Sequence, residues 1–206
     1  MEEKSLKLAI LLIIAYLLGS IPSGIWIGKW FFNVDVRQHG SGNIGTTNTY
    51  RVLGKKAGTI VMIMDILKGT LATSLPFFFN VNISPIIFGI FAILGHTFSI
   101  FDKFKGGKAV ATSAGMLLAI HPILFLCACI FEFSFTYITS MVSLASMISF
   151  PLIVILLFLD NDPWLGTIGL LLTIFIFIRH RKNIIRIKEG NENLVPFGLI
   201  YNHRNK

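Results

Sequence analysis

The stretch 141–159, MVSLASMISFPLIVILLFL, decides the fold, because its nineteen residues include no charged side chain. At about 1.5 Å per residue a helix of that length reaches roughly 28 Å, close to the thickness of a bilayer's hydrocarbon core. No water is available there to satisfy backbone amides, so a helix is the spanning element such a run can adopt. Outward from it, residues 6–27 read the same way, with Lys7 as the only charge. The whole chain agrees. Of its 206 residues 54% are hydrophobic and 14% charged, and the mean hydropathy is +0.75. That composition excludes an ordinary soluble domain and predicts one integral-membrane domain over residues 1–206. The run at 6–27 is longer than a signal-peptide core and lacks a small-x-small cleavage site followed by soluble sequence, so a retained span is expected.

Hydropathy and breakers divide the chain into about seven spans, near 6–28, 56–79, 85–101, 107–121, 122–137, 139–159 and 163–180. The turn Asp160-Asn161-Asp162-Pro163 is a helix-start signal, and His121-Pro122 separates the fourth and fifth spans or kinks one continuous helix. The fourth and fifth spans are short for a full crossing and are open to a partly re-entrant reading. The expected fold is therefore all-α, a polytopic membrane protein.

Charge placement orients it. The net charge is +8, but the cations border apolar spans instead of forming a basic face, which argues against nucleic acid. Most lysines and arginines fall at 29–56, 101–108 and 179–206, whereas loops 80–84 and 159–163 have none. With seven spans this places the amino terminus outside and the carboxy terminus in the cytoplasm. Cys127 and Cys129, two apart in an apolar run, are not expected to form a disulfide or a metal site.

Three polar clusters then share the cytoplasmic side. The first is Ser41-Gly42-Asn43-Ile44-Gly45-Thr46-Thr47-Asn48-Thr49-Tyr50-Arg51. The second runs from Gly95-His96 to Gly106-Gly107-Lys108, and the third from His180 through Asn183 and Arg186 to Glu192. Gly40 to Gly45 formally matches the dinucleotide fingerprint, but no strand precedes it and no βαβ unit surrounds it. Gly106-Gly107-Lys108 likewise lacks the rest of a Walker loop.

The chemistry these clusters do support is anion binding. Glycines admit close backbone approach, successive N–H groups can cradle an anion, and a helix starting at Gly107 or Lys108 adds its positive dipole end. Lys108 and Arg51 supply full charge; Ser41, Asn43, Thr47 and Asn48 supply neutral donors and acceptors. A tight interfacial turn is the plainer alternative for each cluster alone. His180 and Asn183, three apart, share a face if the seventh helix runs past Arg179. His180 can then act as base, electrostatic stabiliser or hydrogen-bond anchor. Glu192 is an acid that can pair with those cations, so a supporting role is expected. Asp65 and Lys68, inside the second span, are expected to neutralise each other or to support the site. Glu132 is expected to pair with a cytoplasmic cation.

At these clusters the chain closely resembles the PlsY-type acyl-phosphate-dependent glycerol-3-phosphate acyltransferases of bacterial phospholipid synthesis. Their S-x-N-x-G-x-T-N-x-x-R motif is met by Ser41, Asn43, Gly45, Thr47, Asn48 and Arg51. G-H-x-x-x-x-F followed by G-G-K is met by Gly95, His96, Phe101, Gly106, Gly107 and Lys108. H-x-x-N-x-x-R with a later G-x-E is met by His180, Asn183, Arg186, Gly190 and Glu192. Asp65 to Gly69 resembles the family's D-x-x-K-G. One departure stands out: the family's G-G-K-G is here G-G-K-A, and the Ala109 Cβ is expected to narrow the cradle and affect substrate affinity.

The resemblance implies a multi-pass enzyme of the bacterial plasma membrane, with its site at the cytoplasmic face. It implies acyl transfer from a long-chain acyl phosphate to the 1-hydroxyl of glycerol 3-phosphate, giving lysophosphatidate and inorganic phosphate, the first acylation of phospholipid synthesis. Catalytic roles would fall to Ser41, Arg51, Lys108, His180 and Asn183. Phosphate contacts would fall to Asn43, Gly45, Thr47, Asn48, His96, Gly106 and Gly107, with Asp65, Lys68, Arg186 and Glu192 in support. The lipid bilayer and an enzyme that makes acyl phosphate are the implied partners; no cofactor, metal or nucleic acid is. A rival H-x-x-x-x-D acyltransferase motif is absent, since His96 reaches Phe101 and Asp102 lies one place too far. A phosphate or organophosphate transporter is the rival from another class, and it would need its polar groups near mid-membrane.

Overall fold

The computed structural model describes residues 2–204. All regular structure among them is helical, in two compact units, Met1–Pro122 and Ile123–Lys206.

The first unit contains α1 (Glu2–Ser20), α2 (Ser23–Phe32), α3 (Thr46–Phe78), α4 (Pro85–Thr97) and α5 (Val110–Ile120). The expected first span is a bent pair: α1 and α2 meet at 49° across Ile21-Pro22, where proline cannot continue the ladder. The broken backbone does not go unsatisfied, because Lys68 Nζ donates to the Ile21 carbonyl at 2.9 Å. α3 is 33 residues, about 50 Å if straight, and too long for the core alone. It breaks at Gly54, whose φ of 84° leaves 46–53 as a short helix ahead of the spanning part. The helices pack through small residues, as bilayer helices must when lipid tails are as apolar as leucine. A Cβ on Gly69 would collide with the Thr112 carbonyl, and one on Gly115 with that of Ile66, so α3 and α5 touch backbone to backbone. Leu11, Ala15, Ala72, Leu75, Phe88 and Ala92 form the core between α1, α3 and α4.

The second unit contains α6 (Pro122–Thr139), α7 (Val142–Leu159), α8 (Pro163–Arg179), α9 (Arg181–Lys188) and α10 (Leu199–Arg204). The expected turn at 160–163 is present as a cap: the Asp162 side chain accepts from the Leu165 N–H at 2.9 Å, with Pro163 in the first turn. α8 and α9 meet at 61°. The fully buried Ser140, at φ 54°, turns the chain between α6 and α7. Its carbonyl accepts from Val195 N–H at 2.8 Å and its hydroxyl from Tyr201 N–H at 3.0 Å, which ties the tail to that turn.

Among the described residues four helices are long and apolar enough to cross a membrane, or up to six spans if each bent pair counts as one. The chain is thus an all-α, multi-pass membrane protein. The expected span at 107–121 is the exception to the count of seven. α5 has 11 residues, roughly 16 Å, about half the core thickness. His121 is non-helical (φ −148°), so α5 and α6 are separate helices and not one kinked rod.

Candidate functional site

In the first unit the site residues belong to two loops and the helices they enter. Ser41, Asn43 and Gly45 lie on the loop ahead of α3, while Thr47, Asn48 and Arg51 lie in its first two turns. Asn48 organises this loop. Its Nδ2 donates to the carbonyls of Val36 (2.9 Å), Asn43 (2.9 Å) and His39 (3.1 Å), and its Oδ1 accepts from Ser41 N–H at 2.8 Å. At 1% exposure the side chain is bonded to the loop's own backbone, an arrangement that shapes the loop and does not by itself display the expected phosphate contact. Gly40 is required beside it: φ is +59°, and a Cβ there would strike Asn48 Oδ1. Asn43 Oδ1 accepts from Gly45 N–H at 2.9 Å, a local turn that sets the entry to α3.

The second cluster closes on itself. Gly107 N–H donates to the His96 carbonyl at 3.1 Å and Gly106 N–H to that of Thr97 at 3.0 Å. The two glycine amides are therefore used in the loop, and the expected cradle made of them is not the arrangement present. Their missing side chains matter instead. A Cβ on Gly106 would hit the His96 and Thr97 carbonyls, and one on Gly107 would hit His96 Nε2. α5 begins at Val110, not at Gly107 or Lys108, after Ala109 at φ 60°. The first-turn N–H groups of α5, two residues beyond Lys108, are then the dipole end nearest that lysine.

His96 is 5% exposed and sits beneath this loop, with Nδ1 3.9 Å from Asp65 Oδ1. Its placement makes it a support for Gly107 and not a surface ligand. Asp65 and Lys68 pair at 2.8 Å, and Ser23 Oγ donates to Asp65 Oδ1 at 2.8 Å. With Lys68 also on the Ile21 carbonyl, this buried pair repairs the break between α1 and α2. Of the two expected roles, pairing is the one the geometry describes.

A further link was not expected from sequence. Arg37 bonds Asp35 (Nε to Oδ1, 2.9 Å) and also the buried Asp102, tying the loop ahead of α3 to the one after α4. The hydrogen bond from Arg37 holds the Asp35 carboxyl at about 2, well below its ordinary range. An aspartate and an arginine two apart in the first loop and a lone aspartate among apolar residues in the second were the only signals available.

In the second unit His180 caps α8 at its bend into α9, so the expected straight continuation of the helix is replaced by a corner. His180 is 2% exposed, and its Nδ1 lies 2.9 Å from the Ile176 carbonyl. A carbonyl can only accept, so Nδ1 carries a proton, and whenever the ring is neutral its lone pair is on Nε2. Asn183, on α9, donates through Nδ2 to Glu192 Oε1 at 2.7 Å. Ser143 Oγ donates to the same oxygen at 2.8 Å, and Arg186 Nε to Oε2 at 2.7 Å. Burial pushes the Glu192 carboxyl up, but the bonds from Arg186, Asn183 and Ser143 outweigh it and hold the group below its ordinary value. Glu132 departs from expectation: its partner is Ser146 Oγ at 2.7 Å, not a cation. Among the described residues no group of three or more His, Cys, Asp or Glu is placed to hold a metal ion.

Known proteins share this pattern. The family model for glycerol-3-phosphate acyltransferase matches residues 9–190. Curated glycerol-3-phosphate acyltransferases from Levilactobacillus brevis and Enterococcus faecalis are each 60% identical. The alignments cover 97% of this chain and 99% of the first, and 94% of this chain and 94% of the second. A crystal structure of PlsY, an integral membrane glycerol 3-phosphate acyltransferase in its glycerol 3-phosphate form, superposes with a TM-score of 0.83 at 36% identity. It covers 91% of this chain and 94% of that one; a lysophosphatidic acid form gives 0.79 at 34%. With matching motifs, helices and full-length relatives, this chain belongs to the glycerol-3-phosphate acyltransferase family.

Proposed function

We propose that the chain transfers a long-chain acyl group from acyl phosphate to the 1-hydroxyl of glycerol 3-phosphate. The products are 1-acylglycerol 3-phosphate and inorganic phosphate, in the first acylation of phospholipid synthesis. In the reaction the substrate hydroxyl oxygen bonds to the acyl carbon, the acyl C–O bond to phosphate breaks, and phosphate leaves. Acyl phosphate already has a good leaving group, so the protein's work is to position two anions and to stabilise the developing oxyanion.

One observation carries this assignment of the proton: with Nδ1–H on the Ile176 carbonyl, Nε2 is the nitrogen that bears the lone pair of the neutral ring. His180 takes the hydroxyl proton in this reading, and Asn183 and Ser41 orient the reacting groups. Arg51 and Lys108 hold phosphate, with Thr47, Asn43 and Gly45 shaping the first loop around it. Asn48, His96, Gly106 and Gly107 hold the loops, and Asp65, Lys68, Arg186 and Glu192 hold the helices. No cofactor enters the reaction so written. The lysines and arginines at 29–56, 101–108 and 179–206 support a site at the cytoplasmic face of a bacterial plasma membrane, and in this reading an enzyme that makes acyl phosphate feeds it. Transport of phosphate or an organophosphate is the less favoured reading, because the relatives sharing these motifs are transferases.

Purified protein in detergent provides the test. Phosphate release from a long-chain acyl phosphate should require glycerol 3-phosphate and yield the monoacyl product in equal amount. Vesicle uptake without acyl transfer would instead establish a transporter. His180→Gln should lower turnover by about 10²–10⁴-fold, the usual contribution of a general base. A loss under about tenfold with unchanged KM would move the proton-accepting role to a substrate phosphate oxygen.

A further inference from the structure

We propose that the tip of the loop between α4 and α5, residues 100–105, is the docking site where the long-chain acyl phosphate arrives from the bilayer. The inference rests on the acyl-phosphate reading above and adds to it a place of entry. The tip mixes two chemistries that seldom share an exposed turn. Phe101 is 54% exposed and Phe104 60%, and Lys103 and Lys105 are exposed beside them. The one acid there, Asp102, is buried and bonded to Arg37, so the tip's outward charge is positive.

The display is held in place at an energetic cost. Lys103 and Phe104 both have positive φ (52° and 59°), and an aromatic residue there is a conformational outlier. Backbone bonds fix the turn: Phe104 N–H to Ser99 O at 2.8 Å, Lys105 N–H to Asp102 O at 2.9 Å and Gly106 N–H to Thr97 O at 3.0 Å. Ser99 Oγ in turn donates to the Ser20 carbonyl of α1. The strain turns rings and ammonium groups outward instead of letting them collapse onto the helices.

A second element extends the apolar half. Trp26 of α2 lies 6.2 Å from the Phe101 ring and stacks on Trp30 at 5.0 Å, and Trp30 is 67% exposed. Rings alone would fit ordinary acyl tails, and lysines alone would fit water. Together they match one amphiphile, a phosphate on a single long chain, lying at the headgroup level. Lys105 is three residues from Lys108, about 10 Å of extended chain, so charge leads from the tip to the Gly106–Lys108 corner.

The experiment uses the full chain in nanodiscs of neutral phosphatidylcholine. The readout is the ratio of kcat/KM for a long-chain acyl phosphate to that for a water-soluble short-chain one. Lys103→Gln with Lys105→Gln should lower the ratio by about fivefold per lysine, and Phe104→Ser should also lower it. Lys55→Gln with Lys56→Gln, exposed on α3 and outside the tip, should change it less than about twofold, within ordinary surface effects. An unchanged ratio in the tip variants of an otherwise active protein overturns docking and leaves the acyltransferase reading standing. An equal drop in the control pair also overturns it, since a general surface potential on anionic amphiphiles would then suffice. A wild type that turns over neither donor overturns both readings.

Discussion

Two side chains, one in each unit, do comparable work by different means. Asn48 organises the loop ahead of α3 with a neutral amide, four hydrogen bonds and no charge. Glu192 organises α9 with a carboxylate that accepts from Ser143, Asn183 and Arg186. The difference follows from what each must hold. The loop at 36–43 presents carbonyls and one N–H, which only an amide can serve from a single position. α9 presents two donors, one of them a guanidinium, and Ser143 of α7 adds a third, which suits an acceptor-only anion. A neutral centre is indifferent to pH in the physiological range; a charged one is not. The first loop should therefore keep its shape across pH, whereas the corner holding His180 and Asn183 should loosen in acid.

Replacing the neutral centre should produce the largest effect. Asn48→Ala takes a donor from three carbonyls and the acceptor from one N–H, and although the Val36 and His39 carbonyls keep a backbone donor, the loss is about 3 kcal/mol. For a chain of this size that lowers the midpoint of thermal unfolding in detergent by roughly 6–12 °C. Activity should fall further than stability explains, because Ser41 and Asn43 are set by the same amide. Asn48→Asp keeps the acceptor but points an anion at three carbonyls, and should be worse than alanine. If Asn48→Ala raised KM for glycerol 3-phosphate while leaving thermal stability intact, Asn48 would be a direct ligand after all.

The charged centre should give a smaller and pH-dependent loss. In Glu192→Gln, Oε1 still accepts from Ser143 and Asn183, but an NH₂ now faces Arg186 Nε. The cost is about 1–2 kcal/mol. The sign of the pH effect follows from the lowered folded-state value of Glu192. Its stabilisation is fully present above the unfolded value of about 4.3 and is lost as pH falls through the lower folded value. Thermal midpoints measured between pH 7 and pH 3 should thus converge for wild type and Glu192→Gln at the acid end. A constant gap across that range would show that Glu192 acts by shape and not by charge.

How much of this could be read beforehand depended on whether the signal was local. The run at 141–159 announces a span because missing charges are visible one residue at a time. The motif residues are visible for the same reason. Hydropathy could not see the bend at Pro22, since apolar residues continue on both sides and the break is repaired from a distance by Lys68. It also did not show that α5 begins only at Val110, because apolarity does not mark where a hydrogen-bonded ladder begins. The uses of Gly106 and Gly107 were hidden for a subtler reason. Glycine-rich sequence suggests amides open to an anion, but acceptors about ten residues earlier, at His96 and Thr97, had already taken both. Arg37 and Asp102 are 65 positions apart, and no spacing rule links them.

Ala109 offers the finest test, because its one extra carbon touches both the loop and the helix start. Its φ of 60° is the left-handed region, where a non-glycine residue carries about 1–2 kcal/mol of strain. Glycine would relieve that. Yet Ala109 is 1% exposed, and removing its buried methyl forfeits about 0.8 kcal/mol. The freer unfolded chain takes back a further 0.4–1 or so. These contributions nearly cancel, so Ala109→Gly should shift stability by less than about 1 kcal/mol in either direction. The methyl is packed into the protein and not exposed at the loop's surface, which argues against the narrowing that the G-G-K-A departure suggested. KM for both substrates should stay within about twofold, since no charge or hydrogen bond is lost. A drop of fivefold or more in either KM would mean that the Cβ stands in the substrate's way. The boundary between loop and phosphate site would then have to be redrawn one residue further along the chain, into the first turn of α5.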